Sequence, residues 1–173
     1  MNLPTLNING IAAANVGARA NNVIPSRALA DLDLRLVVGE HWQEQQERVI
    51  DYIRSQGYYV VDSEPSRDVL LAHPRVAMVK GDDFSYDAVR TPMDLPVARE
   101  VIAAVESARG KVVEWPTAGG SVPLGAMERA AGTHTIGVPI ANHDNNQHSS
   151  NENIRLQNLW DGIETMAALM HKE

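Results

Sequence analysis

The spacing of apolar residues changes abruptly at Gly39, and that change constrains the fold more than any other feature. From Ala28 to Val38 the chain alternates. Leu29, Leu32, Leu34 and Leu36 carry the apolar content, while Asp31, Asp33 and Arg35 share one side. A period of two is a strand with one face turned to a core. Gly39 ends it. From His41 to Gln56 the pattern is that of an amphipathic helix, with Trp42, Val49, Ile50 and Ile53 as the expected buried stripe and Gly57 as its stop. Residues 4–11, with Leu6, Ile8 and Ile11, read as an earlier strand, separated from the first by a Gly/Ala/Asn-rich stretch. Residues 58–61 read as a short strand, 62–74 as loop and 75–80 as a further strand. The first half is therefore expected to be an α+β lobe.

The composition shifts near Arg90–Pro96. Asp94 is the expected N-cap, with Pro96 in the first turn, of a helix that Gly110 terminates. Residues 112–114 read as a strand, 123–131 as a helix, 135–140 as a strand and 152–171 as the last helix. The apolar positions of that helix, Leu156, Leu159, Trp160, Ile163, Met166, Ala167 and Met170, recur at spacings of three and four. Strands alternating with helices predict an α/β arrangement here. The overall expectation is α/β: an α+β lobe in the first half followed by an α/β arrangement after residue 90.

A chain of 173 residues can bury a real core. Its formal charge of -7 repels phosphate backbones, and no basic patch offsets it, so nucleic acid is not an expected partner. No apolar run approaches the ~20 residues that span a bilayer. The N-terminal residues have no signal-peptide pattern, and a membrane partner is not expected; the expected compartment is the cytoplasm. The absence of cysteine excludes disulfides, zinc-thiolate sites and thiol nucleophiles. Any metal must be held by His and carboxylate. A chain that starts directly in a strand reads as a fragment.

One loop carries most of the chemistry. Asn142 to Asn153 contains no apolar side chain and joins a strand to a helix, where a much shorter connection would serve. Loops at the C-terminal ends of strands are where α/β folds place their sites. Ser149 with Glu152 three residues later fits a capping box, which would put His148 just before a helix N-terminus. The alternatives are a solvated connection with a good cap, or a local metal site of His143, Asp144 and His148. Gly119-Gly120-Ser121, at a strand-to-helix junction, either lets a backbone approach a ligand or makes a tight turn with φ > 0. Arg35 can grip a carboxylate together with Asn22. The plainer reading of Arg35 is a cross-strand salt bridge to Asp31 or Asp33.

In order along the chain, Asn22-Val23-Ile24-Pro25, Leu32-Asp33-Leu34-Arg35, Arg90-Thr91-Pro92, Gly119-Gly120-Ser121-Val122-Pro123 and His148-Ser149-Ser150-Asn151-Glu152 form a set. This set resembles the dinuclear zinc exopeptidases and deacylases of metallopeptidase family twenty, the group of glutamate carboxypeptidase, carnosinase-type dipeptidases and acetylornithine deacetylase. The resemblance implies hydrolysis of amide bonds in small peptides or N-acyl amino acids bearing a carboxylate, with two zinc ions. It assigns His148 to the metal, Asn22 and Arg35 to the substrate carboxylate, and Gly120 and Ser121 to the substrate pocket. Residues 1–88 would be part of a ferredoxin-like lid, or dimerisation, domain, and 89–173 the closing part of the catalytic domain.

Family members also carry a His-x-Asp motif and a Glu-Glu pair, and this sequence contains neither. A zinc site needs three or four ligands, and one is carried over. The expectation is a chain inactive alone, with a missing N-terminal catalytic half and a second copy of itself as partners. A non-enzymatic dimerisation or complementation module is the alternative.

Overall fold

The computed structural model describes residues 3–81, 85–120 and 122–171. The chain divides into two compact units, Met1–Val89 and Arg90–Glu173. The first opens with strands β1 (Thr5–Ala13) and β2 (Ala28–Arg35), paired antiparallel. The pairing shifts between Ile8 and Gly10. That bulge has a consequence for the side chains. In an unbroken strand Ile8 and Ile11 would point to opposite faces; one extra residue returns Ile11 to the face of Ile8. Leu6–Leu34, Ile8–Leu32 and Ile11–Ala30 therefore stack on one apolar face, and Asn7–Asp33 and Thr5–Arg35 lie on the other.

Helix α1 (Trp42–Ser55) lays Val49 and Tyr52 beside Leu6, Leu34 and Leu36, at one end of that face. Its expected stripe of Trp42, Val49, Ile50 and Ile53 is half-buried. Gly57, at φ 85, takes the left-handed turn that stops it. The far end of the sheet face stays open: Ile8 is 59% exposed and Ile11 72%.

A second, parallel pair joins β3 (Tyr59–Val61) to β4 (Val76–Met78). Parallel strands require a crossover. Helix α2 (Arg67–Ala72) provides it, inside the span expected to be loop. The Ser66 side chain accepts the Val69 N–H at 3.3 Å, with Asp68 in the first turn. These are ordinary start signals of a helix, too short here to show a period.

The second unit holds α3 (Pro96–Arg109), α4 (Leu124–Ala131) and α5 (Leu156–Met170). Three local expectations are corrected. The N-cap of α3 is Leu95 and not Asp94, with Pro96 at the first helical position. Residues 112–114 and 135–140 belong to no helix or strand and form no ladder among the described residues. A strand needs a neighbour for its N–H and C=O groups, and neither segment has one among the described residues. Side chains do part of that work instead. Thr135 N–H donates to Glu128 at 2.9 Å, Thr135 C=O accepts the Thr91 hydroxyl at 2.7 Å, and Ile140 C=O accepts the Asn158 amide at 3.2 Å.

The third correction concerns α5, which begins at Leu156 rather than near Glu152 and buries a different stripe from the one expected. Leu159 is half-buried, but Gly162 and Thr165 are the buried positions of the helix, Gly162 against Ile140. Leu156, Trp160, Ile163 and Met170 lie outside; Trp160 is 57% exposed and Met170 85%. A helix apolar on one side and tightly packed through small residues on the other is one suited to burial all round. Arg109 pairs with Asp161 and Glu164 to tie α3 to α5. No helix of the described residues is long and apolar enough to cross a membrane.

Candidate functional site

The loop 142–153 is built from its neck outward. Asn142, buried to 5% exposure, donates to Asp144 Oδ1 at 2.8 Å and accepts the Arg155 N–H at 3.0 Å. Arg155 returns to Asp144 Oδ2 at 2.5 Å. The three residues close a ring at the start of α5, and Asn153 N–H to Asn145 C=O, at 2.9 Å, closes the neck beside it. The hydrogen bond from Asn142, with Arg155 and His143 adding to it, holds the Asp144 carboxyl below the ordinary carboxylate range.

This arrangement replaces the expected capping box. Ser149 does not cap α5: its N–H goes back to Asn146 C=O at 2.9 Å, and the N-cap residue is Arg155, without a side-chain cap. The Asn142 side chain accepts the Arg155 N–H in its place. Sequence reasoning missed Asn142 and Arg155, which lie 13 positions apart and are joined only by the loop's fold.

His148 stands at the third position of the turn 146–149, at φ 62. Turns with φ > 0 there favour Gly or Asn, and a histidine accepts the strain only where the surroundings hold it. Asn146, at φ 54, and Asn151, at φ 63, are left-handed in the same loop. The His148 side chain is exposed while Asn142, Asp144, Asn145 and Arg155 are used within the loop. The loop is thus a closed scaffold on which the imidazoles of His143 and His148 are exposed, His148 at the strained turn position.

The other expected site residues are not gathered around it. Asn22 is exposed in the connection between β1 and β2, at the Ala13/Ala28 end of the ladder, and Arg35 closes the other end. Arg35 is ion-paired with Asp33 two residues earlier on its own strand, at 2.5 Å. Gly120 does not take a positive φ, and a Cβ added to it would meet nothing within 4 Å. Its lack of a side chain is not demanded by the described chain. Ser121 lies outside the described residues.

Among the described residues no three of His, Asp and Glu come together where they could hold a metal ion. The local His143/Asp144/His148 site is therefore not formed: Asp144 is committed to Asn142 and Arg155. With His148 as one candidate ligand, the described residues do not compose a zinc site. Electrostatic pairing is found elsewhere, at His41 and Asp87. His41 Nδ1 lies 2.9 Å from Asp87 Oδ2, which raises the imidazole above its ordinary value of 6.5.

Comparison with known proteins agrees with the motif reading. Residues 1–60 match the M20 peptidase dimerisation domain. The chain is 24% identical over 172 residues to the Cys-Gly metallodipeptidase DUG1 of Candida albicans, covering 97% of this chain and 32% of that protein. It is 23% identical over 177 residues to the Cys-Gly metallodipeptidase of Schizosaccharomyces pombe, covering 98% and 33%. Its fold matches an M20 family metallo-carboxypeptidase, Sso-CP2 of Sulfolobus solfataricus, with a TM-score of 0.74 at 21% identity, over 97% of this chain and 35% of that one. The mixed α/β architecture and the family resemblance are both borne out. The chain is thus similar to M20 peptidases, with residues 1–60 matching their dimerisation domain, and it spans about a third of the length of the relatives it matches.

Proposed function

We propose that this chain is a portion of a zinc-dependent hydrolase of peptide or N-acyl amide bonds. The first unit acts as part of the lid and dimerisation domain and the second as the closing part of the catalytic domain. His148 contributes one metal ligand. Asn22 and Arg35 hold the substrate carboxylate, Arg35 by exchanging Asp33 for it. Gly120 and Ser121 line the pocket, where open space around Gly120 admits a ligand's approach. The remaining ligands and the general base belong to the part of the relatives that this chain does not match. When bound, zinc would supply Lewis acidity and an activated water; the residues here orient and bind.

The observation that carries this reading is the presentation of His148: strained, exposed, and on a loop whose neck is closed by Asn142, Asp144 and Arg155. The chain alone is expected neither to bind zinc tightly nor to hydrolyse Cys-Gly or other dipeptides. Zinc calorimetry and a hydrolysis assay check this, and turnover by the purified chain that His148→Ala abolishes would overturn the inactivity. Mixed with a polypeptide bearing the His-x-Asp and Glu-Glu motifs of the missing half, the chain is expected to support zinc-dependent turnover that His148→Ala removes. Full turnover by the His148→Ala mixture would sink the assignment of the ligand.

A second reading, a dimerisation or complementation module without activity of its own, is favoured by surface area. The chain exposes 13750 Å², against about 10,000 Å² for two separate compact domains of half its mass each. Ile8, Ile11, Trp160 and Ile163 are among the groups left outside. Large apolar side chains left outside in this way fit an interaction face. Light scattering behind size-exclusion chromatography is expected to show self-association that Ile8→Ser weakens. A clean monomer at high concentration counts against this reading.

A further inference from the structure

The N-terminus of α1 is completed by a residue 45 positions away. Asp87 Oδ1 accepts the Trp42 N–H at 2.8 Å, and Asp87 Oδ2 lies 2.9 Å from His41 Nδ1. His41 occupies the N-cap position in extended conformation, yet its own side chain caps nothing. One carboxylate therefore satisfies an orphan helix N–H and grips the capping residue's ring. Asp87 lies two residues before Val89, the last residue of the first unit.

The ring is open to protons, with its side chain 62% exposed. The charged groups acting on it are Asp87, by hydrogen bond and charge, and Glu44 of the first turn of α1, and both favour the imidazolium. Glu40, the preceding residue, has an oxygen shielded from solvent and without a hydrogen-bond partner among the described residues. No cationic group is among the influences on the ring.

We propose that Asp87, His41 and the first N–H of α1 form a pH-responsive clip, which docks the last residues of the first unit onto α1 while the imidazole is protonated and loosens when it is not. A charge-assisted hydrogen bond is shorter and stronger than a neutral one, so loss of the ring proton weakens the carboxylate's attachment to His41 and leaves its bond from the Trp42 N–H. The sign follows from the raised folded value. The clip's contribution is complete below the ordinary 6.5 and declines as pH rises through the higher folded value.

NMR of the complete 173-residue chain from about pH 5 to about pH 8 tests this. The His41 ring is expected to titrate above 6.5 and to move down in Asp87→Asn. Protection of the Trp42 amide, corrected for intrinsic exchange, is expected to fall about two- to five-fold across the titration, the span open to an exposed ion pair. His41→Gln retains the Asp87 cap and is expected to abolish the pH slope. Glu44→Gln is expected to lower the midpoint and keep the slope. A flat wild-type profile, a slope surviving in His41→Gln, or a slope lost in Glu44→Gln but kept in Asp87→Asn would each overturn the clip.

Discussion

The first unit is held by backbone ladders and exposed ion pairs, whereas the second is held by close packing at a few points. All of the buried residues among those described, Ala98, Gly125, Asn142, Gly162 and Thr165, belong to the second unit. In the first, the ordered features are the β1–β2 and β3–β4 pairs and ion pairs such as Arg27–Glu64 and Arg54 with Glu47 and Asp51. Exposed pairs of this kind stabilise little. Most of the difference therefore lies in burial. The first unit has an apolar sheet face that α1 covers at one end, and the second a helix seam sealed by small residues. Neither buries most of the large apolar groups its sequence provides, so a partner that covered them would stabilise each.

The largest expected effect breaks the seam of the second unit. A Cβ at Gly162 would lie 2.9 Å from Ile140 Cγ2, so Gly162→Val is expected to cost about 1–3 kcal/mol. Hydrogen exchange should show the loss in α3 and α5 while β1 and β2 keep their protection. Equal loss in both units would mean that they unfold together.

Asn142→Ala comes next, removing a buried side chain that serves both Asp144 and Arg155. About 1–2 kcal/mol is expected, with the start of α5 fraying first. If the exchange of residues 145–153 were unchanged, the ring would not be what holds His148.

The smallest effect separates the units by pH. Asp144, Asp161 and Glu128 are held below their ordinary values, first by Asn142, Arg109 and Thr135 respectively. What they contribute is complete above the ordinary 3.8 to 4.5 and is lost as pH falls through the lower folded values. His41 behaves oppositely, its contribution fading on the alkaline side of 6.5. Exchange followed by mass spectrometry should show acid opening the second unit and mild alkali opening the start of α1. The same direction in both would break the contrast.

Much of this was legible in the residues themselves. Alternation through β2, the stripe of α1 and the stops at Gly57 and Gly110 are local patterns, and local patterns survive whatever surrounds them. Helix α2 went unread because six residues show no period, although Ser66 marks its start. The strands expected at 112–114 and 135–140 failed for the opposite reason. Their composition is that of strands, but a ladder is made with a neighbour, and none of the described residues provides one.

The amino-acid order alone determined the longer helices α1 and α3, the alternation of β2, and that this chain offers a metal only His and carboxylate and no thiol, because these depend on side-chain chemistry and short-range spacing. Only the tertiary structure decided which face of α5 is buried, that Asn142 and Arg155 rather than Ser149 and Glu152 anchor the His148 loop, and that Asp87 caps α1. Each of those depends on which groups meet across many residues, and a helix with apolar residues on two sides, or a loop rich in equivalent polar groups, is ambiguous until its neighbours choose.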